Sequence, residues 1–261
     1  AHTSLATGAE DNFYGKATVM EPGIDRSSDH SPALGPGHPD VEISMPWAFV
    51  ASGYAAVWAQ ENTRESLFNA MQRKEVYATT GSRIGLRFFG GWDFAESDVL
   101  DPHFARIGYR KGVPMGGALN GDQQASDSST PGFMIAALKD PSGANLDRIQ
   151  VIKGWHDANG ELQEKVYNVQ GSDGRKVRRN GSLKALKNTV NLDDATYSNS
   201  VGAASLAAYW QDPDFDPTER AFYYARVIEI TTPRWTAYDR VRLGHEVSPL
   251  DDQLVQDRAY S

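Results

Sequence analysis

The segment Leu146-Asp147-Arg148-Ile149-Gln150-Val151-Ile152-Lys153, the pair Asn159-Gly160 and the segment Leu162-Gln163-Glu164-Lys165-Val166-Tyr167-Asn168-Val169 decide the fold class. Two β-rich runs flank a dipeptide of the kind that turns one strand back on the next. An antiparallel hairpin is the direct reading. Working outward, Phe133 to Leu138, Leu206 to Trp210 and Ala221 to Ile230 are runs of the same length and character, punctuated by Asp140-Pro141-Ser142-Gly143 and Ser172-Asp173-Gly174. Upstream, Ile84, Leu86 and Phe88 alternate with Gly85, Arg87 and Phe89, as in a strand buried on one face. Many short strands joined by turns need two packed sheets to cover their apolar faces, so an antiparallel β-sandwich is predicted from Arg83 to about Leu243.

Before residue 83 the pattern changes. Asn62-Thr63-Arg64-Glu65 has the polar-x-x-Glu form of a capping box, with Leu67, Ala70 and Met71 behind it at helical spacing. The spacing predicts a helix from about Thr63 to Arg73, ending on the basic pair Arg73-Lys74. Val76 to Thr80 follows as a β-branched run closed by Gly81. Glu21 to Pro46, with Gly35-Pro36-Gly37-His38-Pro39 inside it, has no sustained apolar period and reads as a long loop.

Composition excludes several functions. The 261 residues carry 26 Lys+Arg against 34 Asp+Glu, a formal charge of −8, and no cysteine. Such a balance gives no general attraction to a phosphate backbone, so no nucleic-acid partner is expected, and charged residues break every apolar run short of a membrane span. Without cysteine there are no disulfides, thiolate metal sites or thiol nucleophiles. That absence fits a periplasmic or secreted home, weakly favoured, and a cytoplasmic one as well. The opening Ala1-His2-Thr3-Ser4 has neither an initiator Met nor a signal segment. The start therefore reads as a processing product, an artificial boundary or a fragment.

Chemistry-bearing residues are sparse. His2 lies near the polar block Glu10-Asp11-Asn12-Phe13-Tyr14-Gly15-Lys16, which supplies carboxylates, an amide and a cation. One histidine cannot hold a catalytic metal, so read alone the block is first a solvated turn behind a frayed end. His30 and His38 stand near Asp29 and Asp40 without a ligand spacing, and His103, His156 and His245 are isolated. The run Gly174-Arg175-Lys176-Val177-Arg178-Arg179 reads as a solvated basic loop. Trp92, Trp155, Trp210 and Trp235 with Tyr223 and Tyr224 would suit a sugar-binding face or a core. Phe222-Tyr223-Tyr224 within one strand must split between its two faces.

Longer words occur in a fixed order: Ala1-His2-Thr3 with Glu10 to Lys16, Ala55-Ala56-Val57-Trp58-Ala59-Gln60-Glu61-Asn62-Thr63-Arg64-Glu65, Val76 to Ile84, and Val113-Pro114-Met115-Gly116-Gly117. Leu138 to Pro141, Gly143 to Ile149, Asp212-Pro213-Asp214-Phe215-Asp216-Pro217, Phe222 to Val227 and Pro233-Arg234-Trp235-Thr236 continue the series. Together they resemble the C-terminal part of the domain-of-unknown-function family 3604, related to the PHP (polymerase and histidinol phosphatase) metal-dependent hydrolases. Nearly the whole chain is covered. Gln60 and Ser82 depart from the family pattern, which has Glu and Pro there.

The resemblance implies an α+β, mainly β chain: terminal elements of a PHP-like (β/α) barrel in 1–82, then an antiparallel β-sandwich and tail in 83–261. It implies that His2 is a metal ligand, matching the His of an Asp-x-His pattern whose Asp precedes residue 1. The cofactor would be a divalent metal ion, zinc, manganese or similar, with most ligands outside this chain. Bound there, it would acidify a water and polarise a phosphoryl oxygen. Asn12, Lys16 and Arg83 are then candidates for orienting or neutralising a small anionic substrate, although a turn-stabilising amide and surface cations explain them equally. The expected function is hydrolysis of a phosphate-type ester, complete only with the missing N-terminal part. The alternative is a non-catalytic sandwich that binds carbohydrate or a partner protein. The N-terminal remainder or another copy is expected to cover apolar surface around Val57, Trp58, Leu67 and Met71.

Overall fold

The computed structural model describes residues 11, 53–120, 130–244 and 253–261. Two antiparallel sheets face each other. In chain order the elements are β1 (Ala55–Val57), α1 (Arg64–Gln72), β2 (Val76–Thr79), β3 (Gly85–Gly91), a 3-10 turn at Glu96–Leu100, α2 (Phe104–Lys111), β4 (Val113–Pro114), β5 (Gly132–Leu138), β6 (Leu146–His156), β7 (Leu162–Gly171), β8 (Ser205–Gln211), β9 (Ala221–Glu229), β10 (Thr232–Pro233), α3 (Trp235–Leu243), β11 (Leu254–Val255) and β12 (Arg258–Tyr260). The six-stranded sheet runs β1-β2-β12-β9-β6-β7 and the four-stranded one β4-β3-β5-β8, with β10 and β11 as a small ribbon.

The fold is mainly β, as the turn pattern predicts, and no closed barrel is formed by the described residues. Between the sheets, Leu86, Phe88, Phe133, Ile135 and Leu206 meet Ile149, Val151, Ala225, Val227 and Ala259. Phe89 was expected on a solvent face and is instead 1 % exposed. The cause is α2, unforeseen in the sequence, which with the 3-10 turn seals the back of the four-stranded sheet over Phe89, Phe94, Val99, Ile107 and Met134. A sheet covered on both faces explains the unbroken apolar run of β5. Gly108 permits the close approach: a Cβ there would stand 2.6 Å from the Phe89 ring.

The β6–β7 hairpin forms with a longer loop than two residues. Asp157 Oδ1 accepts the amides of Asn159 and Glu161, and Gly160 takes φ +80°. In α1 the N-cap is Thr63, one residue after the Asn62 of the expected box, and its hydroxyl accepts the Ser66 amide at 3.3 Å. Arg73 turns to Glu75, at 2.9 Å, and Lys74 takes φ +60°.

The hairpin β1–β2 joins the six-stranded sheet through β12, with Thr79 opposite Ala259 and Ala78 opposite Tyr260. Hydrogen bonding thus crosses residue 82 without a break. Trp58 is taken up by the sandwich: its Nε1 donates to Leu86 O at 2.8 Å and the Arg87 guanidinium lies 3.7 Å from its ring centre. Val57 and Leu67 are half-buried, while Phe68 and Met71 are 58 % and 55 % exposed. No helix among the described residues is long and apolar enough to cross a membrane.

Candidate functional site

Several connections meet at one end of the sandwich. There β9 finishes at Glu229, β12 begins after Asp257, β2 passes through Gly81 and Ser82 toward β3, and the turn Asp140–Ala144 leaves β5. They enclose a cleft of about 320 Å³ whose lining includes Asp11, Tyr54, Arg83, Tyr197 and Thr232.

The walls are well fixed. Asp140 Oδ2 accepts the Arg83 amide at 2.8 Å and its Oδ1 the Ser142 amide at 2.9 Å, while Lys139 Nζ donates to Gly143 O at 2.7 Å. Asp257 Oδ1 accepts the Thr80 hydroxyl at 2.7 Å, and the Glu229 amide donates to Asp257 O at 2.9 Å. These bonds tie the ends of β2, β5, β9 and β12 together around the cleft.

At the floor is Glu229, 2 % exposed. Its Oε1 has no hydrogen-bond partner, and neither has Ser82 Oγ. Burial pushes the Glu229 carboxyl up to about 8, with repulsion from Asp257 and Asp140 adding to it and the nearby Ser82 and Lys139 opposing. Asp257 is raised too, chiefly by burial, against the hydrogen bond from Thr80.

Among the residues singled out in the sequence, Arg83 stands at the cleft, its guanidinium exposed and 6.0 Å from the Tyr54 ring centre. His2, Asn12 and Lys16 lie outside the described residues, as do His30, His38 and His245. Asp11 is described: the Arg242 guanidinium of α3 donates to its backbone carbonyl, so the neighbour of Asn12 also borders this cleft. His103 pairs with Asp101 at 3.3 Å and His156 meets Gly160 O at 3.1 Å, both at the surface. No group of three His, Asp or Glu able to hold a metal ion occurs among the described residues.

Two other charged clusters are structural. Lys153, with a side chain 2 % exposed, reaches Asp212 at 2.8 Å and Asp214 O at 2.7 Å; Tyr223 OH donates to Asp212, and Lys165 and Tyr167 to Asp214. These bonds pin the Asp212–Pro217 loop to the sheet. Arg175, expected in a solvated loop, is 9 % exposed and clamps the carbonyl and carboxylate of Asp147, whereas Lys176, Arg178 and Arg179 are exposed. Trp210 and Tyr223 pack on Phe133, and Trp235 is buried, so these aromatics belong to the interior rather than to a sugar-binding face.

The family model described as protein of unknown function (DUF3604) matches residues 1–261. The chain belongs to that family. No curated protein and no solved structure matches it. The DUF3604 chain thus presents one cleft that combines an exposed arginine, a buried carboxyl with a free oxygen, and the border of the N-terminal polar block.

Proposed function

We propose that this chain is the C-terminal portion of a PHP-related, metal-dependent hydrolase acting on a phosphate-type ester, active together with the preceding part of the same protein. The supporting observation is that Asp11, from the block containing Asn12 and Lys16, and Arg83 border the same cleft.

No group of His, Asp and Glu able to hold a metal occurs among the described residues; the proposal assigns the divalent ion to His2 and to ligands upstream. What this chain contributes is orientation. Arg83 has its amide held by Asp140 and its guanidinium exposed, so it can present two parallel donors to an oxyanion.

The test uses the protein with its upstream residues. Stoichiometric divalent metal and hydrolysis of a phosphate monoester or diester are expected, both lost in His2→Ala, with Arg83→Ala raising KM while metal content stays. Absence of metal from the intact protein, or hydrolysis untouched by His2→Ala, would refute the proposal.

A second reading, a carbohydrate-binding sandwich, draws on Phe222, 62 % exposed and stacked on Tyr224 with rings 11° apart on the outer face of β9. The Phe222 ring also covers Gly154, where a Cβ would stand 2.3 Å from it, so sheet packing accounts for its position. Glycan binding by the chain that is abolished in Phe222→Ala would favour this reading.

A further inference from the structure

Two oxygen atoms in the cleft lack partners, and both belong to residues that line it: Glu229 Oε1 and Ser82 Oγ. A buried acceptor without a donor is costly, and these two persist in a region otherwise tied by short hydrogen bonds. Among the described residues the Ser82 hydroxyl is the one uncommitted donor beside Glu229, and a single O–H cannot satisfy both the free carboxyl oxygen and the lone pairs of Ser82 itself. Lys139 Nζ is committed to Gly143 O, and the Thr80 hydroxyl to Asp257. Charge points the same way: among the described residues that line the cleft, Asp11, Asp140, Glu229 and Asp257 stand against Arg83 as the one Lys or Arg. The missing group is therefore a cation rich in N–H donors.

We propose that the floor of this cleft binds the primary ammonium group of a small organic ligand, which donates to Glu229 Oε1 and Ser82 Oγ. An ammonium has three donors and no acceptor, which suits orphan acceptors. The carboxylates of the cleft do not form a metal-holding group, whereas divalent ions need several oxygens gathered at one point. The volume of about 320 Å³ admits a short alkyl body, and Tyr54 and Tyr197 in the wall suit a cation. Hydrolysis is no part of this claim.

The groups that face Glu229 are Asp257 ahead of β12, Asp140 and Lys139 after β5, Ser82 ahead of β3, and Tyr197 from the segment between β7 and β8. With its carboxyl raised to about 8, Glu229 is mostly protonated at pH 7, and the ammonium must displace that proton. Apparent affinity then tightens about tenfold between pH 7 and pH 9, a range in which an alkylamine of pKa about 10.4 keeps its charge.

The experiment is an NMR titration of the whole 261-residue chain with methylammonium chloride at pH 7 and pH 9, at matched ionic strength. Tetramethylammonium, potassium and calcium chlorides serve as comparisons. Saturable methylammonium binding, about tenfold tighter at pH 9 and absent for tetramethylammonium, is expected. Glu229→Gln should remove the pH dependence and weaken binding at pH 9 by about tenfold or more. Ser82→Ala should weaken binding while the pH dependence remains. Methylammonium that fails to saturate, binds Glu229→Gln as well as the parent, or is matched by potassium or calcium overturns the proposal. Because no turnover is read, an absence of hydrolase activity leaves the result unaffected.

Discussion

Glu229→Gln should stabilise the protein in alkaline solution and have little effect in acid. The Glu229 carboxyl goes from 4.5 as its ordinary value to about 8 in the fold, so the folded state holds a proton that the unfolded chain has released. For an acid raised in this way the stabilising contribution is fully present below the unfolded pKa and is lost as pH rises toward the folded one. Each pK unit is worth about 1.4 kcal/mol, so about 3–5 kcal/mol drains away between pH 5 and pH 9. Glutamine has nearly the same shape and never ionises, so the variant escapes the loss. Urea unfolding of both proteins at pH 5, 7 and 9, in buffers free of primary amines, would measure the difference. Titration of distant groups cancels between them. A stability difference that stays constant across this range would refute the argument, because the carboxyl would then not be held protonated by its burial.

Other substitutions separate structural charge from functional charge. Lys153→Met leaves Asp212 buried without its cation and should cost about 3–5 kcal/mol in urea unfolding at pH 7. Gly108→Ala puts a methyl 2.6 Å from the Phe89 ring; overpacking between α2 and β3 should cost about 1–3 kcal/mol by the same measurement. Arg83→Ala should change stability by less than about 0.5 kcal/mol, since its guanidinium is exposed and the amide bond to Asp140 survives; a large loss would give Arg83 a structural role.

Local signals in the sequence carried the strands and α1, because alternation, turn dipeptides and a cap act within a few residues. They carried much less of what depends on distant partners. By its local pattern the strand Val76–Thr79 stands apart from the sandwich, yet it pairs with β12 at the far end of the chain, a pairing no local pattern encodes. Phe104 and Ile107 have helical spacing, but α2 follows Asp101-Pro102-His103 and spans only Phe104–Lys111, too short for a periodic signal of its own. In the candidate site Arg83 is legible as a cation beside a strand, whereas Glu229, inside Val227-Ile228-Glu229-Ile230, reads simply as part of a strand.

The period of two contained the missing information. In β6 it places Lys153 with Ile149 and Val151, and in β9 it places Glu229 with Ala225 and Val227, all of them inward-facing and buried. A charged residue on the inward register must find a partner or shift its ionisation. Lys153 found Asp212, a carbonyl and two aromatic rings, and is a tie between a strand and a loop. Glu229 has an oxygen with no partner, a raised carboxyl and a cleft in front of it. Two inward charges of similar burial thus diverge: the paired one explains a loop, and the incompletely paired one marks where a ligand would complete the fold.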